Sequence, residues 1–583
     1  MLFRRTFLMP VVICVIAAML FLITGCNNPG SNNNIQGNAN ETTKVFSGGT
    51  ICMKTSDGIE YAEAVVVQEG KFAFVGALND ALEFASSDCE QIDLEGKLMT
   101  PSFFESHAHP NWSTPLDFRN FVYAGPMPTP EEYVEYIRKF VQEHPDSSAI
   151  RGIGWDFAVF GGEYPTKDIL DEVSTEIPIF LRDTSLHIAW ANSRALELAG
   201  LTKDIPDPEG GRVVRDEKGE PSGVVLDLAS VVVEDALPPL TKEDHKELIL
   251  QFQEMEYSFG VTGHMTALVA PDSEQYAAYR ELLDEGKLKM YTQLAFQATP
   301  ETYKECFEWL KTERTAYEKD PNPLLKLGLI KFFVDGVISN QSAYLLEAYA
   351  TSPDWRGEPM WPTETLEDAF KICTENDFRI HVHATGDAGT RMTLDALEKA
   401  TVPNRHSITH IELTAPEDIA RFGELEIIAM INPYWFGRGE SFDEIEAIEL
   451  GPERTERMYL AKSFYETGAR VSAASDYPVC PVPDPIGGLY MAVNRTIPEN
   501  WREGRSAEEC TLNKSEAITI EQAFDAFTLS AAYSFELDDV TGSIEVGKTA
   551  DFVIWNENLF EEITDNTKPL ETWFMGELVY KAK

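Results

Sequence analysis

The stretch RIHVHATGD at residues 379–387 decides how the middle of this chain folds. The apolar run Phe378–Val382 predicts a buried β-strand, and a helical pattern follows at Ala388–Ala400. A strand followed at once by a helix is the repeating unit of a parallel sheet with helical crossovers.

The same alternation recurs on both sides of this stretch. Further strands and helices are predicted at Leu327–Val334, Thr365–Asn376, Ser407–Ile411, Pro452–Gly468 and Arg470–Ala474. The fold class is therefore α/β, and we expect a (β/α)₈ TIM-type barrel, with an open doubly wound sheet as the alternative. No glycine-rich GxGxxG or Walker loop follows a strand, which argues against a nucleotide-binding fold.

Both ends of the mature chain have a different, β-rich character. Short strands and turns fill residues 44–100, and the pattern returns at residues 536–583, which suggests one composite β-sandwich domain built from both termini. The barrel would occupy residues 101–535, with a long insertion of helices and loops at about residues 112–255.

The N-terminus resembles an export signal. Arg4 and Arg5 precede the apolar run Phe7–Ile23, which ends in Thr24-Gly25-Cys26, the pattern of a bacterial lipoprotein box. Residues 1–25 would then be a signal peptide, Cys26 the lipidated residue and residues 26–43 a flexible tether. The alternative is a retained transmembrane anchor. Either interpretation predicts an exported, extracytoplasmic protein attached to the cell membrane.

The charge of the chain narrows the choice of partner. There are 96 acidic and 48 basic residues, a net charge of −48, and such a surface repels nucleic acid. We expect a small-molecule substrate and a membrane contact through the lipid anchor only. The sequence leaves the oligomeric state open, with a homodimer as one option.

Histidines at predicted strand ends indicate a metal site. His107 and His109 are two residues apart, so both side chains lie on one face of a strand. His383, His410 and Asp476 each end a later strand of the series. A single such residue is more often structural, but strand ends in a parallel barrel share one face and bring these side chains together.

Lys331 interrupts an otherwise apolar strand. One explanation is an ion pair with Asp335, four residues further on. The other is reaction with carbon dioxide to an N-carboxylate, an oxygen ligand that bridges two metal ions. The residues alone leave both open, although a cationic lysine beside a dication is unfavourable.

The remaining histidines carry less signal. We expect His381 on the opposite strand face from His383 and interpret it as structural. His144, His245 and His406 are also interpreted as structural. His264 closes another strand and is a weaker candidate for a ligand or substrate contact.

In this order the ligands resemble those of the amidohydrolase superfamily, and most closely amidohydrolase family 3, the group that contains N-substituted formamide deformylases. The stretches that carry the resemblance are 101–109, 154–156, 191–196, 219–223, 335–336, 383–387 and 475–479. The resemblance covers the chain from about Lys44 to Tyr580.

The resemblance implies a barrel with a composite β-sandwich and a hydrolytic reaction at one or two divalent ions, zinc being expected. His107, His109 and Asp476 would bind the more buried ion, and carboxylated Lys331 would bridge to a second ion held by two further ligands, His383 and His410. Asp476 would also act as the proton shuttle in cleavage of a non-peptide carbon–nitrogen bond.

Three residues depart from the family pattern without removing a ligand: Glu105 for Asp, Thr409 for Glu and Ala474 for Gly. His187 is the candidate donor that polarises the substrate carbonyl, or a substrate-positioning residue. Aromatic residues after His109 and at 434–436 suggest an apolar pocket wall, although ordinary packing explains them as well.

Two alternatives stay open at this point. The first is hydrolysis of cyclic amides or heterocyclic carbon–nitrogen bonds at the same site. The second is a non-catalytic solute-binding lipoprotein on a vestigial barrel.

Overall fold

A computed structural model describes residues 43–583 except 56–57, 86, 111–120, 124–126, 156, 161–162, 184–187, 209–210, 320, 401–403, 440–441, 481, 503 and 565. The proposed signal peptide, Cys26 and nearly all of the tether therefore lie outside the described residues, as do Trp112, Phe118, Asp156 and His187. Within the described part of the chain, no helix has the length and apolar character needed to cross a membrane.

The described chain opens with five strands and one helix. They are β1 (Lys44–Thr55), β2 (Gly58–Gln68), β3 (Lys71–Gly76), α1 (Leu78–Ala85), β4 (Glu90–Asp93) and β5 (Leu98–Pro101).

The next strand belongs to the barrel, and an inserted segment follows it. These elements are β6 (Phe103–Ala108), β7 (Phe121–Tyr123), α2 (Pro130–Glu143), β8 (Ile150–Trp155), α3 (Lys167–Asp171), β9 (Ile179–Asp183), β10 (Ile188–Ala191), α4 (Ser193–Leu198), β11 (Gly211–Arg215), β12 (Pro221–Asp227) and α5 (Leu228–Ala236). The strands of the insertion form a six-stranded sheet of their own, in the order β11-β12-β10-β9-β8-β7. This sheet differs from the helices and loops that the sequence predicts for the insertion.

The barrel then continues as alternating helices and strands. These are α6 (Lys242–Ser258), β13 (Val261–Val269), α7 (Glu274–Asp284), β14 (Tyr291–Gln297), α8 (Tyr303–Tyr317), β15 (Leu325–Phe333), α9 (Thr363–Glu375), β16 (Arg379–Ala384), α10 (Asp387–Ala400), β17 (Ser407–His410), α11 (Pro416–Glu424), β18 (Ile428–Ile431), α12 (Ala447–Leu450), α13 (Pro452–Thr455), α14 (Ala461–Glu466), β19 (Val471–Ala473), α15 (Pro485–Asn494), α16 (Ile520–Phe527) and α17 (Leu529–Ser534).

The chain ends with three strands that return to the first sheet. They are β20 (Phe552–Trp555), β21 (Pro569–Phe574) and β22 (Glu577–Lys581). The sheet has the order β22-β21-β20-β5-β1-β2-β3, with β4 also paired to β1, so both termini build it.

Eight parallel strands form the barrel wall, in the order β19-β18-β17-β16-β15-β14-β13-β6. The two outer strands approach each other, since Asp476 N donates to His107 O at 3.0 Å and Ala108 makes a parallel bridge with Tyr477. The predicted α/β barrel is confirmed. Apolar side chains such as Phe104, Met265 and Leu329 belong to one buried cluster, which stabilises the barrel by removing apolar surface from water.

One predicted helix is wrong. Residues Pro452–Gly468 form two short helices, α13 and α14, instead of one. Between them Met458 makes an antiparallel bridge with Leu413, and Tyr459 adopts a left-handed backbone with φ of 58°. This tertiary pairing overrides the local helical pattern.

Candidate metal centre

His107 and His109 lie at the carboxyl end of β6, opposite Asp476, which follows β19. Asp476 Oδ1 is 3.3 Å from His107 Nε2 and 3.2 Å from His109 Nε2. Asp476 has φ of 58°. All three side chains are buried, so the carboxylate and both rings face one small volume.

Lys331 reaches the same volume from β15. Its side chain is fully buried, and Nζ lies 3.4 Å from His107 Nε2. Burial lowers the pKa of Lys331 to about 7. No carboxylate lies within ion-pair distance of this amine among the described residues, and Asp335 instead accepts hydrogen bonds from the backbone NH groups of Tyr344, Thr385 and Gly386. The ion pair between Lys331 and Asp335 is therefore not formed.

His383 and His410 complete the cluster from β16 and β17. Their ring centroids are 4.4 Å apart, and the His410 ring is 5.1 Å from that of His107. His383 Nε2 lies 3.0 Å from Gly336 O, an acceptor, so Nε2 carries the proton and Nδ1 keeps its lone pair. His410 Nδ1 has no hydrogen-bond partner in the described part of the protein.

His381 belongs to this centre, and its assignment to the opposite strand face is wrong. Residues two apart on a strand share a face, and His381 pairs in register with Lys331 while His383 pairs with Phe333. His381 Nε2 is 2.6 Å from His107 Nδ1, and its Nδ1 is 2.7 Å from Ser407 Oγ. The sequence does contain a signal for this position of His381. It is the His-x-His spacing at 381–383, which equals the spacing at 107–109.

Glu105 connects the end of the first barrel strand to the segment after the last one by hydrogen bonds. Its Oε1 accepts from His107 N at 2.9 Å and from Ser475 N at 3.0 Å. Burial raises the pKa of Glu105 to about 7. The side chain fixes the backbone that carries two of the candidate ligands, His107 and Asp476.

The electrostatics favour neutral imidazoles. Burial is the main cause that lowers the pKa of His107, His109, His381 and His410, and it lowers the pKa of His383 to about 3. A neutral ring has a lone pair available for a metal ion, whereas an imidazolium has none.

The donor set fits a divalent metal. Ligand atoms of His107, His410 and Asp476 lie within 4.8 Å of one another. His410 Nδ1 is buried without a hydrogen-bond partner in the described region. Imidazole nitrogen and carboxylate oxygen at such spacing suit zinc and similar ions.

The other sequence candidates lie apart from this cluster or outside the description. His264 contacts the side chains of Met290 and Tyr279, with His264 Nδ1 at 2.9 Å from Met290 Sδ. His406 Nδ1 accepts from Ile380 N, a structural contact. His187 is outside the described residues.

The barrel and this cluster together define a metal-dependent hydrolase. The chain belongs to the amidohydrolase family, whose family model matches residues 90–580.

Two relatives and one solved structure are similar to this chain. Protein LONG AFTER FAR-RED 3 of Arabidopsis thaliana is 28% identical over 92% of this chain and 91% of its own length. The N-substituted formamide deformylase of Arthrobacter pascens is 26% identical over 89% of this chain and 95% of its own. An uncharacterized metal-dependent hydrolase from Pyrococcus furiosus has the same fold, with a TM-score of 0.71 at 24% identity, covering 89% of this chain and 100% of that one.

Proposed function

We propose that this protein hydrolyses a non-peptide, amide-type carbon–nitrogen bond. The observation that carries the proposal is the convergence of buried, neutral histidines with Lys331 and Asp476 at the carboxyl ends of the barrel strands. The similarity to an N-substituted formamide deformylase supports an amide over an ester.

The ligands divide into two groups. His107, His109 and Asp476 would hold one ion, and His383 with His410 would hold a second, both expected to be zinc. We propose that Lys331, which has a pKa near neutrality and no acidic partner in the described part of the chain, would react with carbon dioxide and contribute an N-carboxylate to this metal centre. When bound, a divalent ion supplies Lewis acidity, which polarises a carbonyl and acidifies a water molecule.

The side chains of the protein move the proton and hold the geometry. Asp476 accepts a proton from the attacking water and delivers it to the leaving nitrogen, since its carboxylate is the one beside His107 and His109. His381 and Glu105 keep His107 in place through its ring and its backbone. His187 is proposed as the donor to the substrate carbonyl.

Metal analysis combined with a hydrolysis screen tests this function. The purified protein should contain zinc or a similar ion and cleave members of a panel of N-substituted formamides and acetamides. Cleavage of cyclic amides alone would favour the heterocycle alternative. A metal-loaded protein that cleaves no amide, lactam or heterocyclic carbon–nitrogen bond would refute the proposal and favour solute binding.

We further propose that the mature protein is a lipoprotein anchored through Cys26. The support is the basic start, the apolar run Phe7–Ile23 and the small residues before Cys26. Expression of the Cys26→Ala variant beside the parent, with mass spectrometry of the N-terminal peptide, tests it. A lipid adduct on the parent alone is expected, and an unmodified parent would contradict the anchor.

A further inference from the structure

The His410 ring makes no hydrogen bond to another described residue, which sets it apart from His107 and His383. His107 Nδ1 lies 2.6 Å from His381 Nε2. His383 Nε2 lies 3.0 Å from Gly336 O. A histidine that binds a metal ion almost always has such a partner at its other ring nitrogen, and the partner fixes the orientation of the ring. The orientation of the His410 ring therefore depends on a different kind of contact.

The indole of Trp435 supplies a flat contact to the His410 ring. The two ring centroids are 5.6 Å apart, and the interplanar angle is only 17°. The contacts of His410 with His107 and His383 are edge-to-face, with interplanar angles of 77° and 65°. Offset stacking is a favoured arrangement of two aromatic rings, and rotation of the imidazole would drive its edge into the indole face. Trp435 itself has no atom that binds a metal ion, so its contact is a supporting one.

The position of the indole is fixed by the turn that carries it. Trp435 ends the 3₁₀ turn Pro433–Trp435 after β18, and its NH donates to Asn432 O at 3.0 Å. The residues on both sides are buried, since Tyr434 is 7% exposed and Phe436 is fully buried, whereas Trp435 is half-buried. Close packing of these neighbours leaves the turn little freedom to move. The indole is thus a rigid surface against which the His410 ring can rest.

We propose that Trp435 is a positioning residue of the metal centre, whose indole face holds the His410 ring with a nitrogen lone pair towards the other ligands. One ligand atom each of His107, His410 and Asp476 lies within 4.8 Å of the others, so a small rotation of the His410 ring would disturb this set. The inference rests on the proposed function, because it concerns the ligands on which that function depends.

Two substitutions separate the ring face of Trp435 from its bulk. Trp435→Phe keeps an aromatic face, and Trp435→Leu keeps an apolar side chain without one. Competition with a chromophoric chelator measures the zinc affinity of each variant. The zinc ion concerned is the one whose affinity falls in His410→Ala. Trp435→Leu should bind this ion about tenfold more weakly than the parent, and Trp435→Phe should stay within about threefold.

Trp309→Leu is the matched control. Trp309 is also half-buried, and its ring packs against those of Tyr276 and Phe296, with no candidate ligand among its ring contacts in the described chain. Its zinc affinity should equal that of the parent. Circular dichroism and thermal unfolding establish that the variants are folded. If Trp435→Leu does not fold, Trp435→Met takes its place, because the flexible methionine side chain fills irregular space without a ring.

Cobalt(II) in place of zinc gives a second readout, which a purely structural role of Trp435 would not change. The visible absorption of bound cobalt depends on the number and arrangement of its ligands. Trp435→Leu should alter the spectrum of the cobalt-loaded protein, whereas Trp435→Phe and Trp309→Leu should leave it close to that of the parent. An unaltered spectrum in Trp435→Leu would contradict the positioning role.

Three affinity results would also overturn the proposal. The first is a folded Trp435→Leu variant that binds zinc within twofold of the parent. The second is an equal loss in Trp435→Phe and Trp435→Leu, which would indicate that the bulk of the indole matters and its face does not. The third is an unchanged zinc affinity in His410→Ala, because His410 would then hold no metal ion.

Hydrolysis of the amide panel by the same variants distinguishes this inference from the proposed function. If the parent cleaves no amide while Trp435→Leu still weakens zinc binding, the proposed function fails and the role of Trp435 stands. If the parent cleaves amides and Trp435→Leu binds zinc as tightly as the parent, the function stands and the positioning role fails.

Discussion

Removal of the His381 ring nitrogens tests how much the metal centre depends on its supporting hydrogen bond. His381 Nε2 lies 2.6 Å from His107 Nδ1, and both rings are fully buried. His381→Phe keeps an aromatic ring of similar size and leaves His107 Nδ1 without its partner. An unsatisfied buried polar atom costs about 1–3 kcal/mol.

That cost lowers the affinity of the protein for the metal ion. Since tenfold in affinity is about 1.4 kcal/mol, the loss corresponds to roughly 10- to 100-fold weaker metal binding, the range typical for partners of metal-binding histidines. Competition with a chromophoric chelator measures the metal dissociation constant of parent and variant. Ser407→Ala removes the hydroxyl that lies 2.7 Å from His381 Nδ1. This variant should weaken metal binding by a smaller factor than His381→Phe.

His264→Phe is the matched control, because His264 is an equally buried histidine that contacts Met290 and Tyr279 instead of a metal ligand. Its metal affinity should equal that of the parent. If His381→Phe folds normally by circular dichroism and binds metal within twofold of the parent, the supporting role of His381 is refuted.

Three further predictions concern catalysis, metal content and pH. Asp476→Asn should lower kcat by about 10²-fold or more with the fold intact, and full activity would exclude the proton shuttle. Lys331→Ala should reduce the metal content from about two ions per chain to about one, as measured by mass spectrometry of metals, and an unchanged content would argue against a bridging ligand. Burial lowers the pKa of His264 from 6.5 to about 3, so the unfolded chain takes up a proton near pH 6.5 that the folded chain refuses. The metal-free protein should therefore lose stability as the pH falls from about 6.5 towards 3, by on the order of a few kcal/mol, and His264→Phe should flatten this slope in denaturant titrations.

The convergence of the candidate ligands at the strand ends could be predicted because two simple regularities govern it. Side chains alternate along a strand, and parallel strands in a barrel end on one face. These two regularities are sufficient to bring together His107, His383, His410 and Asp476. The position of His381 follows from the same alternation. The expectation that it lies opposite His383 is wrong, because residues two apart on a strand share a face.

The sheet of the insertion depends on tertiary structure instead. Strand β7 is only three residues long, too short for a period-two pattern to show. Met458 and Leu413 pair across the break between α13 and α14, a contact that no local pattern encodes.

The turn after β17 holds His410 at the candidate metal centre. His410 and Ile411 both have left-handed backbones, with φ of 73° and 38°, which is unfavourable for a β-branched residue. Such strain costs on the order of 1–3 kcal/mol and persists where the surroundings hold it. Here Ile411 N donates to Ala384 O at 2.9 Å and Leu413 N to Thr385 O at 3.0 Å. Because this turn carries His410 at its start, we explain the strain as the cost of holding the His410 ring against the rings of His107 and His383.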